Sequence, residues 1–146
     1  MSAAQRPLPL PDLDTAPFWT AAARGELSMQ SCSVCRGLRF PPRPMCPRCG
    51  SLESFWKRVS GRGTVWSYVV CHPPVLPAFA DRAPYPVVLV ELVEDPALRM
   101  VGGITDCPPD RLRVGLPVQV WFEDAGEGVW LPQWRPLEPA TAVSGP

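Results

Sequence analysis

The chain has 146 residues, 46% of them hydrophobic, so it can build its own core and fits one domain or two very small ones. Its longest uncharged apolar run, Tyr85 to Val90, is far short of the roughly 18 residues that cross a bilayer, and the N-terminus lacks a basic-then-apolar leader, so a cytoplasmic protein is expected. The 14 basic and 14 acidic side chains cancel overall, but residues 1–63 carry nine basic against four acidic and residues 64–146 five against ten, a split that argues against a uniform nucleic-acid binder and for two modules.

Residues 1–13 hold three prolines and are expected to be extended. A short helix follows, capped by Asp14 or Thr15, with Pro17 in its first turn and Gly25 as its left-handed stop. Phe18, Trp19, Ala22 and Ala23 give it an apolar stripe at spacings of three and four. Such a helix packs against a core or docks a partner, and two adjacent bulky aromatics on so short an element make Phe18 and Trp19 candidate contact residues. This segment ends near residue 27.

Residues 28–60 are rich in cysteine, proline, glycine and arginine. Cys32-Ser33-Val34-Cys35 and Cys46-Pro47-Arg48-Cys49 form two C-x2-C pairs with ten residues between them. Each pair lets a tight turn aim two thiolates at one point, and two facing turns make a tetrahedral cage with Zn–S near 2.3 Å. Gly37 and Gly50, just after the pairs, are expected to supply positive φ. Four thiolates select zinc or iron, and zinc is the usual occupant of short structural ribbons. With four protein ligands the ion has no open position, so it is expected to be structural. Paired disulfides and a redox C-x-x-C fit less well without a secretion signal or a βαβ context. Arg36, Arg39, Arg43, Arg48, Lys57 and Arg58 would offset the charge of the cage or face an anionic partner.

From residue 61 the texture changes to β-branched and aromatic runs between turn signals. Residues 63–72, 85–94, 99–105, 118–123 and 129–134 read as five strands, with a bulge or bend at Gly102-Gly103 and a hairpin turn at Gly126–Gly128. A short helical turn fits within Cys107–Gly115. Five short strands with a mid-strand glycine kink fit a small barrel, most simply an OB-fold over 61–137. The chain from Arg135 is expected to fray, with 138–146 a flexible tail.

Few residues could carry chemistry outside the cysteine cluster. His72 is the sole histidine and opens a Pro-rich loop, His72–Pro86, that presents Phe79 and Tyr85. No carboxylate adjoins it and no nucleophile is placed beside it, so His72, Phe79 and Tyr85 are read as partner or ligand contacts and no catalytic residue is assigned. Cys71 and Cys107 read as small buried hydrophobes. The tryptophans Trp56, Trp66, Trp121, Trp130 and Trp134 are expected to divide between core and interface, and the Glu94-Asp95 and Glu123-Asp124 pairs to be solvated turn residues.

Taken together, several stretches resemble a family of small bacterial and archaeal proteins that join a rubredoxin-like zinc ribbon to an OB-fold, long catalogued as a domain of unknown function. They are Phe18-Trp19-Thr20-Ala21 with Gly25-Glu26-Leu27, Cys32-x-x-Cys35 through Phe40-Pro41-Pro42-Arg43, and Cys46-Pro47-Arg48-Cys49-Gly50-Ser51. Gly61-Arg62-Gly63-Thr64-Val65, Tyr85-Pro86-Val87, Val90-Glu91-Leu92, Gly115-Leu116-Pro117-Val118 and Leu131-Pro132 complete the set. The resemblance implies a mainly β protein with a short N-terminal helix, Cys32, Cys35, Cys46 and Cys49 as metal ligands, and a histidine at the place of His72. It also implies a non-catalytic subunit in a hetero-oligomer with a thiolase-like enzyme (an acyltransferase, thiolase or retro-aldolase), helping to frame its acyl-CoA or acyl-thioester channel. Cys71 departs from the aliphatic residue more usual there. The rival expectation is a single-stranded nucleic-acid-binding OB-fold, which the acidic balance of the barrel half opposes.

Overall fold

A computed structural model describes residues 6–137 of the chain. Its first element is the helix α1 (Ala16–Ala22). Thr15 occupies the N-cap without a side-chain cap bond, and entry is organised by Asp12, whose carboxylate accepts from the Thr15 N–H (2.8 Å) and the Thr15 hydroxyl (2.7 Å). Pro17 lies in the first turn, where its missing N–H costs no helical bond, and Gly25 (φ 73°) reverses the chain afterwards. The buried face is Phe18, Ala21 and Ala22. Ala23, expected on that face, is exposed because the helix ends one residue before it.

Three strands, β1 (Ser28–Cys32), β2 (Leu38–Arg39) and β3 (Ser54–Arg58), form an antiparallel sheet in the order β2-β1-β3. Strand β1 reads Ser-Met-Gln-Ser-Cys, yet every one of its residues is buried. Its amide explains how. Gln30 Oε1 accepts from Arg39 Nε (2.6 Å) and the Arg43 N–H (2.7 Å), while its Nε2 donates to Ser54 Oγ (3.2 Å). A polar side chain bonded at both ends can be buried at little cost.

The second sheet holds β4 (Arg62–Cys71), β5 (Tyr85–Leu92), β6 (Asp95–Gly103), β7 (Pro117–Asp124) and β8 (Trp130–Pro136), all antiparallel, in the order β6-β5-β4-β7-β8. A parallel bridge between Ile104 and Trp134, with the Thr105 N–H donating to the Trp134 carbonyl (2.9 Å), draws the two sheet edges together into a half-barrel. The mainly β class with helix, ribbon and five-stranded barrel is the one expected.

Local details differ. Gly102 and Gly103 pair regularly with Val88 and Val87; the register shifts fall at Val65/Ser67 and Glu91/Leu92 instead. What the two glycines provide is room. A Cβ at Gly102 would lie 2.9 Å from the Trp134 indole, and one at Gly103 would lie 2.6 Å from Gln133 Oε1. Strand β8 runs through Arg135 and Pro136, tied by Leu137 N–H to the Pro117 carbonyl (3.0 Å), so fraying does not begin at Arg135. The expected tail 138–146 lies outside the described residues. The turn at Gly126–Gly128 is as expected, all three residues having positive φ.

One core runs through both sheets. Phe18 of α1, Leu27, Met29 of β1 and Val59 are buried in the same cluster as Val65, Val88, Val90, Met100, Val118 and Trp134 of the barrel. Among the described residues no helix is long and apolar enough to cross a membrane.

Candidate metal centre and barrel cleft

The two cysteine turns are built alike. In the first, the Cys32 N–H donates to the Gly37 carbonyl (3.0 Å) and the Arg36 N–H to the Cys32 carbonyl (3.1 Å). In the second, the Cys46 N–H donates to Ser51 O (2.8 Å) and the Gly50 N–H to Cys46 O (2.9 Å). Positive φ falls at the same point of each turn, on Gly50 (75°) as expected but on Arg36 (61°) where Gly37 was expected. Gly37 serves another purpose: the Arg48 side chain lies across it, 3.1 Å from where a Cβ would sit, and ends on Asp95 Oδ2 at 3.2 Å. Arg48 thus ties the second turn over the first to the start of β6.

The four sulfurs lie within 4.8 Å of one another, with Cys32–Cys49 and Cys35–Cys46 both at 3.6 Å. A regular tetrahedron with Zn–S near 2.3 Å has edges of about 3.8 Å, so the donor set fits a single ion held by four thiolates. N–H groups of Cys35 and Val34 stabilise the Cys32 thiolate against burial and lower its pKa to about 6. Cys46 is lowered likewise by the N–H groups of Arg48 and Cys49. At Cys49 the Ser51 N–H favours the thiolate, but the surrounding sulfurs of Cys32, Cys35 and Cys46, together with burial, push the thiol up to about 11. Gathering a fourth negative charge here requires a cation. The basic side chains nearby are largely spent within the fold: Arg39 on Gln30, Arg48 on Asp95, Arg58 on Glu26 (3.4 Å), and Arg36 over the Phe55 ring.

The remaining candidates gather at the barrel. Phe79, in a 3-10 turn over Pro77–Arg82, and Tyr85, at the start of β5, have ring centroids 6.0 Å apart. They line a cleft of about 480 Å³ whose other walls are Trp121 and Glu123 of β7, Gln133 of β8 and Thr105. His72 is exposed just beyond β4 and is not among the cleft-lining residues. Trp19 is half-buried beside a smaller hollow of about 260 Å³ with Phe40, and Phe18 is buried, its ring 5.0 Å from Trp19 and 5.6 Å from Phe40. Cys71 and Cys107 are half-buried free thiols, and burial raises the pKa of Cys107. Trp134 is wholly in the core, Trp56, Trp121 and Trp130 are half-buried, and Trp66 is exposed with Arg99 stacked over its ring at 3.9 Å.

Glu123 is not the solvated turn residue expected from its position. Its carboxylate accepts from Arg6 Nη1 (3.0 Å) and Gln133 Nε2 (2.7 Å), with Arg82 at 3.6 Å. Burial opposes its ionisation, but these partners outweigh it and hold the carboxyl below the usual range. Trp121 Nε1 donates to Thr105 Oγ1 at 3.0 Å. Sequence reasoning missed Arg6, Arg82, Thr105 and Gln133, because Arg6 and Glu123 stand 117 residues apart and nothing local joins them.

Two cysteine turns on a three-stranded ribbon, sharing a core with a curled five-stranded sheet, define a protein with a rubredoxin-like metal ribbon followed by an OB-fold. Residues 19–53 match the family model of the ChsH2 rubredoxin-like zinc ribbon domain, and residues 56–123 that of the ChsH2 C-terminal OB-fold domain. The chain is similar to a DUF35 domain-containing scaffold protein of Methanocaldococcus jannaschii, 36% identical over 104 residues, covering 67% of this chain and 71% of the relative. It is also similar to a probable enoyl-CoA hydratase alpha subunit of Thermomonospora curvata, 40% identical over 136 residues; that covers 93% of this chain but 41% of the relative's length. Among solved structures, a chain of the Ltp2-ChsH2(DUF35) aldolase superposes with a TM-score of 0.81 at 38% identity, covering 90% of this chain and all of that one. The chain belongs to the DUF35 family.

Proposed function

We propose that this chain is a non-catalytic accessory subunit of a thiolase-like enzyme, stabilising its partner and helping to frame an acyl-CoA or acyl-thioester channel. The observation that carries the reading is the closed four-sulfur cage, together with a separate barrel cleft whose carboxylate and hydroxyl are already bonded. Glu123 is neutralised by arginines, Thr105 is bonded to Trp121, and neither adjoins a nucleophile–base pair among the described residues. Relatives described as a scaffold protein, an aldolase complex and a hydratase alpha subunit support association with a larger enzyme.

In this reading Zn2+ is held by Cys32, Cys35, Cys46 and Cys49, and it supplies charge neutralisation and a rigid joint with no vacant position for a reactant. Trp19, braced by Phe18, together with His72, Phe79 and Tyr85, supplies contacts to partner and substrate. The cleft's aromatic and aliphatic walls suit an acyl chain, and Arg82, half exposed at its rim, suits an anionic end.

Co-expression with a thiolase-like enzyme is the test. A stable hetero-oligomer whose turnover needs this chain, while the isolated chain turns over no thioester, is the expected outcome. A chain that elutes alone and changes no partner's activity refutes the proposal.

A further inference from the structure

The charged groups of the barrel cleft do not balance. Among the described residues three of its lining side chains are charged, Glu123 against Arg6 and Arg82. Arg6 takes both carboxylate oxygens, Nη1 to Oε1 at 3.0 Å and Nη2 to Oε2 at 3.4 Å, and its side chain is 18% exposed. Arg82 stands further off, 3.6 Å from Oε1, with 55% of its side chain exposed and no hydrogen bond among the described residues. Arg6 arrives on a proline-rich arm. Pro7, Pro9 and Pro11 have no N–H, and among the described residues none from 7 to 11 makes a hydrogen bond. The arm is anchored behind by the Asp12–Thr15 bonds and in front by the Arg6–Glu123 pair.

We propose that Arg6 is a specificity-determining residue of the cleft: by neutralising Glu123 it leaves the charge of Arg82 free for the anionic end of an apolar ligand, a carboxylate or a phosphate. The assignment rests on the reading of this cleft as an acyl site. With the arm in place the lining carries one net positive charge; without Arg6, Glu123 and Arg82 cancel, and an anion gains little from the pair. Geometry gives the two guanidiniums different tasks. Both oxygens of Glu123 are occupied, Oε1 by Arg6 and Oε2 by Gln133 at 2.7 Å, so the more distant Arg82 keeps its N–H donors. Those donors stand beside apolar walls, since Arg82 closes the same 3-10 turn that carries Phe79, and Tyr85 follows it. A ligand with an apolar chain and one anionic end meets both features at once. Such an anion in turn holds the arm down, because it binds more tightly to the state with the surplus positive charge.

Calorimetric titration of the metal-loaded full-length chain with decanoate, decyl phosphate and decanol tests it, in the parent and in the Arg6→Gln, Arg82→Gln and Arg6→Gln/Glu123→Gln variants. The parent should bind at least one of the anions more tightly than decanol, and the tighter of the two identifies the anion. Arg6→Gln should weaken that anion about 5-fold, and Arg82→Gln at least about 10-fold, with decanol unchanged in both. Removing the carboxylate as well should restore the anion in Arg6→Gln/Glu123→Gln, because Arg82 is then unopposed; an Arg6 that merely packed the arm would show no such rescue. Equal binding of anion and alcohol by the parent, binding of none of the three, or indifference to Arg6→Gln overturns the proposal. So does a loss that decanol shares or that the double variant does not restore. None of these outcomes touches association with a partner enzyme, which co-expression decides separately.

Discussion

The seam where β6 meets β8 is the most demanding packing in the barrel, and Gly102→Ala tests it. The missing side chain points at Trp134, and an added Cβ would lie 2.9 Å from both Cδ1 and Nε1 of the indole, against an ordinary separation of roughly 3.5–4.0 Å. The indole has nowhere to retreat. Trp134 is fully buried, its backbone carbonyl accepts from Thr105, and its strand forms the closing bridge with Ile104. Overpacking of this kind costs about 1–3 kcal/mol, while replacing glycine by alanine recovers roughly 0.4–1 kcal/mol from the stiffer unfolded chain. The expected net loss is about 1–2 kcal/mol, a fall in Tm of roughly 3–8 °C for a chain this size. Urea unfolding should show a lower midpoint at unchanged slope. The loss should shrink in a Trp134→Phe background, because the two residues are in contact and their effects are not additive. Equal or greater stability of Gly102→Ala, or strict additivity with Trp134→Phe, would refute the reasoning.

Gly103→Ala should behave differently: its Cβ meets only the end of the flexible Gln133 side chain, so the melting temperature should barely move while the Gln133–Glu123 bond weakens, read as a shift of the Glu123 carboxyl resonance titration. Glu123 itself is held below its ordinary value of 4.5, so it favours folding above that value and the contribution disappears as pH falls through the lower folded value. Glu123→Gln should therefore lower the urea midpoint near neutrality and flatten the acid limb below about pH 4.5; an identical acid limb in both proteins would contradict this. Chelation, or Cys32→Ser, should release metal and destabilise the chain, measured as metal content against Tm; a well-folded, metal-free preparation with unchanged melting would count against a structural ion.

Much of this was legible in the sequence because its signals are local. Alternating Val118, Val120 and Phe122 mark β7, the Gly126–Gly128 turn announces a hairpin, and the spacing of Cys32, Cys35, Cys46 and Cys49 brings four sulfurs together. What escaped is set by distant neighbours. Strand β1 looks polar and is buried because Gln30 finds Arg39, Arg43 and Ser54. Glu123 looks like a turn residue and becomes the centre of a network because Arg6 folds back onto it. Gly102 and Gly103 look like a bend, but in the fold they make room for Trp134 and Gln133. Position along the chain shows a residue's own conformational preference and not the side chain that will press against it.

The metal ribbon and the barrel are joined by their shared core more than by surface contacts. The Arg48–Asp95 pair is half exposed, and a surface ion pair contributes at most about 1 kcal/mol. The stronger connection is strand β1 itself. Its last residue, Cys32, supplies a sulfur to the cage, and Met29 in the same strand is fully buried in the core shared with β4–β8. Burying one such side chain is worth roughly 1.5–3 kcal/mol. A five-residue strand cannot keep that residue in place while its end moves freely, since it has only the two-residue β2 and the exposed β3 beside it. An ion that clamped Cys32 would therefore hold Met29, and through Met29 the barrel wall.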